Sequence, residues 1–472
     1  MSFMLLLVST GIYSVPFAGI TDTAQTAYGQ NFSSINNTFT TYLLASLVLG
    51  LPSNYIILKI GVHWSLTICS LLILSGTVVR LLANSYSFSW MFVGQFISGC
   101  APPLVQNGIF FYCHKIFSKS QAPIMLALMS LMNPLGTMIG FVLPYIFVDN
   151  NQTDPGTLKD QFYQYLVMES FLAGGVMLLV ALFVRNGGSS NHHHHPSKAP
   201  QTGTQSLQQN PQSLLSEQSQ LREYSMSDFR NLIPADQANT QINPVAVAGT
   251  DNPTEDDVAA STKVPVMTQY KILFQDSAYI VMMCGGSCIF GLLGAFGGAI
   301  VQEVVIWNMS ENLGSILAAI CVLVGLISSV AYAVLYIEKP GQLRNFMVFQ
   351  VICFVGCGVC VLGLITDLPG VLVGGTLLYA VFTFPSFPIM MEQIGKRVGK
   401  ELELVATGNV FFLTQLVTAG LLFGVGALLD MNTKAASLIS FAAYSTVILV
   451  TLLFGIGAFK KSNSIFASKI KN

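Results

Sequence analysis

Residues 313–336 read LGSILAAICVLVGLISSVAYAVLY and contain no charged side chain. A helix needs about 20 mostly apolar residues to cross the hydrocarbon core of a bilayer. Backbone polar groups in hydrocarbon must pair internally, so such a segment is either a helix or a strand of a closed barrel. A barrel strand would alternate apolar and polar residues, and this stretch does not. It therefore predicts a transmembrane α-helix.

Eleven further segments have the same character. The twelve predicted spans are roughly 3–27, 40–60, 65–84, 88–113, 122–147, 163–184, 277–305, 313–336, 345–365, 369–393, 404–428 and 435–459. Charged residues make up 9% of the 472-residue chain, whereas a typical soluble domain contains about 25%. The composition thus predicts an all-α membrane protein and excludes a soluble fold. The net charge of −1 excludes the basic surface of a nucleic-acid-binding protein.

A polar segment separates the sixth predicted span from the seventh. Residues 186–262 are rich in Gln, Asn, Ser, Thr and Pro, and such a composition cannot bury enough apolar surface to fold alone. We therefore predict an N-terminal six-helix half over residues 1–185, a flexible linker over 186–270 and a C-terminal six-helix half over 271–472.

The distribution of basic residues predicts the orientation. If the N-terminus is cytoplasmic, only Arg80, Lys159 and Lys434 of the 21 Lys and Arg residues fall on the outer side, as the positive-inside rule requires. Four N-x-S/T sequons fall in loops on that same outer side, at Asn31, Asn36, Asn151 and Asn308. Glycans are added on that side of a membrane. We expect cytoplasmic termini in a plasma membrane or endomembrane, and further cytoplasmic residues before Met1 stay possible.

Polar side chains inside the apolar runs are the candidates for a functional site, because such groups are costly in hydrocarbon and usually face the bundle interior or a cavity. Those expected to bind substrate are Asp22, Gln106, Asn107, Asn133 and Gln415. Those expected to couple transport to a proton or cation are Asp22, Glu169 and Glu392. The alternative for each is a hydrogen bond between helices. Arg80 and Glu303 are expected near the outer interface, where their side chains reach water.

The sequence shows no catalytic or metal-binding constellation. Histidine is absent from the predicted spans, and an intramembrane enzyme would need paired catalytic groups. The nine cysteines all lie in apolar runs without zinc spacing. We therefore expect no catalytic residues, no metal and no cofactor.

Several short motifs carry a family resemblance when taken in order. They are Pro16 to Asp22 (PFAGITD), Gly94-Gln95, Asn133 to Gly136 (NPLG), Gln302, Glu392, Thr407-Gly408 and Gln415. In these residues the chain resembles the feline leukaemia virus subgroup C receptor-related transporters, solute carrier family 49 of the major facilitator superfamily. The resemblance covers both halves but not the linker.

The resemblance implies a twelve-helix facilitator fold and a small solute such as choline or ethanolamine, haem, or a vitamin B6-like compound. This chain has Ser14 and Gly294 where choline-type members place aromatic residues, and Pro134 where they place glutamine. Aromatic faces hold quaternary ammonium groups by cation–π attraction, so we expect a poor choline transporter.

Together these features predict a monomeric secondary transporter, either a facilitator or ion-coupled. It would move a small organic solute through a central site by alternating access within membrane lipid. The alternative is a membrane receptor or scaffold without transport. A polar cavity shared by both halves would favour transport, whereas helix interiors sealed by apolar packing would favour the scaffold.

Overall fold

The computed structural model of the chain describes residues 2–17, 19–109, 112–113, 117, 121–149, 152–187, 265–336, 341–398 and 402–471. Asn151 and most of the predicted linker lie outside these residues. The two helical segments, Met1–Val184 and Pro265–Asn472, form one compact unit.

The described chain consists of helices joined by short connections, and no strand occurs in these ranges. The helices are α1 (Ser2–Ile12), α2 (Thr21–Tyr28), α3 (Phe32–Gly50), α4 (Pro52–Arg80), α5 (Leu82–Ser85), α6 (Ser89–Gly99), α7 (Pro102–Gln106), α8 (Ala122–Val142) with a 3-10 turn (Leu143–Ile146), α9 (Pro155–Gly187), α10 (Val266–Gln275), α11 (Ser277–Ile306), α12 (Glu311–Tyr336), α13 (Gln342–Ile365), α14 (Pro369–Val398), α15 (Glu403–Leu429) and α16 (Lys434–Lys471).

Nine helices in the described ranges are long and apolar enough to cross a membrane. The remaining predicted spans correspond to interrupted helices. The first is divided into α1 and α2, and the fourth into α6 and α7, where Pro102 begins the second piece. The second span is α3 continued by the first part of α4. The all-α, twelve-span architecture predicted from hydropathy is therefore confirmed.

The chain reverses direction inside α4, at Gly61. This residue has φ 77° and ψ 166°, a conformation that glycine adopts without the steric penalty of a side chain. Gly99 packs against Tyr42, and its neighbour Ser98 packs against Gly76. Residues 42 and 76 therefore lie at the same level of the bundle, so the chain turns back between them, where the predicted second and third spans meet.

Glycine pairs allow several helices to approach closely. A Cβ at Gly136 would lie 1.9 Å from the carbonyl oxygen of Val8, so α8 and α1 touch backbone to backbone. Gly294 and Gly298 on α11 pack similarly against side chains of α15 and α3. In a bilayer, where lipid offers no hydrophobic drive between helices, such contact is a main source of association.

The two halves meet along two pairs of helices. Helix α3 of the first half lies against α15 of the second, and α8 lies against α12. The residues between these helices can therefore face both halves, and the candidate site lies there.

Candidate functional site

A cavity of about 100 Å³ lies between the two halves. Three predicted substrate-binding residues line it: Gln106 and Asn133 from the first half, and Gln415 from the second. No charged side chain is among its described lining residues. The cavity is thus mostly apolar, with polar but uncharged side chains at several positions.

Two of the amide groups in the cavity lie close to prolines. Gln106 ends the short helix α7 that starts at Pro102, and Asn133 precedes Pro134 within α8. Asn133 Nδ2 donates a hydrogen bond to Thr10 Oγ1 over 2.9 Å. Within the described chain, Gln106 and Gln415 have no hydrogen-bond partner, so both amides can bind a solute.

Aromatic rings form much of the remaining wall. Phe39, Phe290 and Phe384 line the cavity, and Phe290 stacks on Phe387 with ring centroids 4.0 Å apart. Ser14 and Gly294, the positions where the resemblance described above implies aromatic residues, also line it. The cavity therefore has aromatic faces, but they come from other positions than the resemblance implies.

Asn107 does not line the cavity, contrary to the expectation from sequence. Its Nδ2 atom lies 3.0 Å from Gly50 O, 2.7 Å from Ser53 Oγ and 2.9 Å from Asn54 Oδ1. One residue further along a helix points about 100° away, so Asn107 turns from the cavity where Gln106 faces it. Asn107 therefore supports the position of α3 and α4.

Asn54 contacts both α10, which is helical from Val266 although residues up to 270 were predicted to be flexible linker, and α15 of the second half. Its Nδ2 donates a hydrogen bond to Tyr270 OH over 3.0 Å. A Cβ at Gly408 would lie 2.2 Å from Asn54 Oδ1, so α15 presses directly on this side chain. We call Asn54, Asn107, Tyr270 and Gly408 the linker-end closure.

A second set of contacts joins the halves at the opposite end. Asn36 Nδ2 donates a hydrogen bond to Gln302 Oε1 over 3.1 Å. Ser315 Oγ donates to the carbonyl oxygen of Gly19 over 2.6 Å, and Tyr145 OH lies 2.8 Å from Ser315 Oγ. We call Gly19, Asn36, Tyr145, Gln302 and Ser315 the sequon-end closure.

Asp22 lies outside the cavity, and the expectation that it is deep in the bundle is wrong. The first helix ends at Ile12, and the chain is irregular until α2 begins at Thr21. This interruption places the Asp22 side chain on an exposed face of α2. Its role in coupling stays a prediction.

Glu169 lies in the interior of the first half. Its Oε2 is 3.2 Å from Nη2 of Arg80, and both side chains are fully buried. Tyr165 OH donates a hydrogen bond to Glu169 Oε1 over 2.6 Å. Gly94 provides room for the arginine, because a Cβ there would lie 2.4 Å from Arg80 Cγ. The expectation that Arg80 extends to the interface is therefore wrong.

Glu392 and Glu303 lie in environments that differ from that of Glu169 and from each other. Glu392 forms a 3.2 Å ion pair with Lys396 one helical turn away, and the lysine is 53% exposed. Glu303 is fully buried, so the expectation that it reaches the interface is wrong. Its helix continues to Ile306, and Ser437 on α16 lies against its carboxyl group.

The three sequons in the described residues differ in the exposure of their asparagine side chains. Asn31 and Asn308 are exposed. Asn36 is half-buried and its amide is held by Gln302. A glycan on Asn36 would therefore break the sequon-end closure.

Two helical halves around a central uncharged cavity, with contacts between the halves at both ends, are the architecture of an integral membrane transport protein. The sequence model of the Major Facilitator Superfamily matches residues 1–420, and the chain belongs to this superfamily. Its members are generally transporters rather than enzymes. The chain is a multi-pass membrane protein and a secondary transporter.

Solved structures agree with this fold. The chain is similar to the E. coli fucose:proton symporter FucP (13% identity, 97% of this chain and 98% of that chain, TM-score 0.59). It is similar to the E. coli xylose transporter XylE in a partially occluded inward-open conformation (13%, 96% and 96%, 0.60). It is also similar to the human organic anion transporter MFSD10 (14%, 96% and 97%, 0.57). A search of curated protein sequences returned no significant match.

Proposed function

We propose that this transporter moves a small, uncharged organic solute with both hydrogen-bonding groups and an apolar or ring-shaped face. The observation that carries the proposal is the central cavity, whose described lining combines amides from both halves with phenylalanine rings and lacks any charged side chain. A charged solute buried there would have no counter-charge, and burying an unpaired charge is costly.

The substrate classes implied by the family resemblance fit this cavity unequally. A cavity of about 150 Å³ holds a benzene-sized ligand, and the volume here is about 100 Å³, so haem would require a large expansion. Choline and ethanolamine carry a positive charge that no described lining carboxylate balances. A neutral, vitamin-like ring compound also requires the cavity to widen, but less than haem does, and it matches the uncharged lining. It is the class we propose within the resemblance to solute carrier family 49.

Gln106, Asn133 and Gln415 would bind the polar groups of the solute. Phe290 and Phe384 would contact its apolar face. Alternating access would open the linker-end closure and the sequon-end closure in turn, by rocking one half against the other. A second cavity of about 120 Å³, which shares Val15, Phe39 and Gly298 with the first, adjoins the sequon end and offers the solute a route there.

The proposed orientation places both termini and the linker in the cytoplasm, with the sequon end outside or in an organelle lumen. The support is the positive-inside asymmetry of the sequence. Accessibility of tags at both termini and in the linker tests it. Labelling of these tags from outside intact cells would contradict the orientation for a plasma-membrane form.

The test of transport begins with untargeted metabolite comparison of cells lacking and overexpressing the protein. Candidate solutes are then assayed in proteoliposomes with the wild type and with Gln415→Leu. We expect Gln415→Leu to lose most transport while keeping its fold, because it removes an amide from the cavity. Gln164→Leu, on an exposed face of α9, is the matched control. Equal transport by all three proteins would refute the proposed site.

A further inference from the structure

Glu303 is a carboxyl group enclosed by the second half. It lies one turn before the end of α11 and is fully buried. Ser437 Oγ on α16 donates a hydrogen bond to Glu303 Oε2. The second oxygen, Oε1, has no hydrogen-bond partner within the described residues. The central cavity does not use this group.

The side chains around Glu303 offer no positive charge. Tyr444 on α16 and Cys357 on α13 are the titratable side chains in electrostatic reach. From α14, Tyr379 packs deeper, against Phe296. Asp430, at the end of α15, is exposed. None of these side chains is a cation, and α12 contributes the neutral Ser315 to this end of the bundle.

Trp307 covers the carboxyl on the side toward the sequon end. Its Nε1 donates a hydrogen bond to Ser437 Oγ over 3.0 Å. The ammonium group of Lys434 lies on the exposed side, 4.6 Å from the centroid of the Trp307 ring. The lysine therefore does not pair with Glu303. The hydroxyl groups of Ser437 and Ser440 thus lie against the carboxyl, with the Trp307 ring toward the end of α11.

We propose that Glu303 is a proton-binding site that couples the sequon-end closure to protons, an assignment that rests on the transport function proposed above. An ionised carboxylate in this enclosure would have no cation partner, and such burial is costly. The sealed site therefore holds the carboxylic acid. When the sequon end opens, the acid transfers its proton to water and becomes a hydrated carboxylate, and hydronium reverses the step before closure.

Gln302 connects the Glu303 site to the sequon-end closure. It precedes Glu303 on α11, lines the adjoining cavity and accepts the hydrogen bond from Asn36 of the first half. Separation of Asn36 from Gln302 would move α11 and admit water to Glu303. Coupling is reciprocal, so a proton on Glu303 favours the closed sequon end and closure favours the proton.

The probe for the test is the proton itself. Full-length protein in lipid nanodiscs is titrated from pH 5 to pH 9, and the infrared carbonyl band of a protonated carboxylic acid is recorded in H2O and D2O. We expect a band that shifts in D2O, disappears as pH rises and is absent from Glu303→Gln. Glu392→Gln, which removes a carboxylate that is ion-paired with Lys396, should keep the band. Trp307 fluorescence, measured with Trp64 and Trp90 replaced by Phe, should follow the same titration.

A second variant keeps the test informative if Glu303→Gln does not fold. Ser437→Ala retains the carboxyl and removes its donor, so it should move the pH at which the band disappears. A band unchanged across the whole range would identify a purely structural acid and overturn the proposal. So would a band that persists in Glu303→Gln. Neither measurement requires the solute. A failed transport assay would therefore contradict the proposed function without contradicting proton binding at Glu303.

Discussion

Arg80 and Glu169 form an ion pair in the interior of the first half, with Nη2 and Oε2 3.2 Å apart and neither side chain exposed. The guanidinium also lies 5.7 Å from the centre of the Tyr13 ring. Tyr13 adjoins Ser14, which lines the cavity. The ion pair therefore supports the irregular segment that forms one wall of the site.

Replacing one partner of this pair should destabilise the protein. Glu169→Gln leaves the arginine buried without its counter-charge, and such a loss costs about 3–5 kcal/mol. We expect a markedly lower melting temperature in detergent. Glu392→Gln breaks a pair within one helix whose lysine is exposed to solvent; such pairs are worth at most about 1 kcal/mol, and the variant serves as the control. Similar melting of both variants would show that the buried pair contributes little.

The linker-end closure should open when Gly408 carries a side chain. A Cβ there would lie 2.2 Å from Asn54 Oδ1, whereas a Cβ at Gly420 meets no atom within 4 Å. Gly408→Val should therefore lengthen the distance between spin labels at Lys59 and Lys396, which lie on different halves. Gly420→Val should leave that distance unchanged. An unaltered distance in Gly408→Val would mean that the contact does not hold the end closed.

Filling the cavity should impair transport without unfolding the protein. A Cβ at Gly294 already lies 2.9 Å from Thr418 Cγ2, so the ring of Gly294→Phe must enter the cavity. Overpacking of this kind costs about 1–3 kcal/mol of folding stability, less than the roughly 5–15 kcal/mol that a folded protein has. The ring would occupy the space of the solute, so we expect uptake to fall at least about tenfold. Gly424→Phe, at a position with open space, is the control. Uptake at wild-type levels by Gly294→Phe would place the solute elsewhere.

The ion pair between Asp276 and Arg397 should make stability depend on acid pH. Burial raises the pKa of the Asp276 carboxyl, but hydrogen bonds from Arg397 and from the amides of Ala278 and Tyr279 outweigh it and lower the pKa below its usual value. A lowered pKa contributes stability above the unfolded value, about 3.9, and that stability is lost as pH falls through the folded value. The wild type should therefore lose its melting-temperature advantage over Asp276→Asn below about pH 4. A constant difference down to pH 3 would exclude this linkage.

Glycosylation should distinguish the three described sequons. Asn31→Gln and Asn308→Gln should each increase gel mobility, because both asparagines are exposed. Asn36→Gln should change nothing, since Gln302 holds its amide. Glycosidase treatment provides the reference for the unmodified chain. A mobility shift in Asn36→Gln would show that the sequon-end closure opens during biosynthesis.

The candidate site could be predicted only in part. Gln106, Asn133 and Gln415 were recognisable because polar groups in apolar runs usually face a cavity or another helix. The same rule could not separate them from Asn107, which closes the linker end, or from Asp22, which is exposed. The burial of Arg80 was not predicted because it depends on the space left by Gly94 on the next span, a packing contact that hydropathy does not reveal.

The membrane class, the order of the spans and the uncharged character of much of the interior follow from the amino-acid sequence alone. In hydrocarbon each apolar run must satisfy its own backbone hydrogen bonds, so the span is a local property of about 20 residues. Whether a polar side chain lines the cavity, joins the two halves or is buried within one half depends on the tertiary structure. Successive helical residues point about 100° apart, so Gln302 reaches the first half while Glu303, its neighbour, is enclosed by the second.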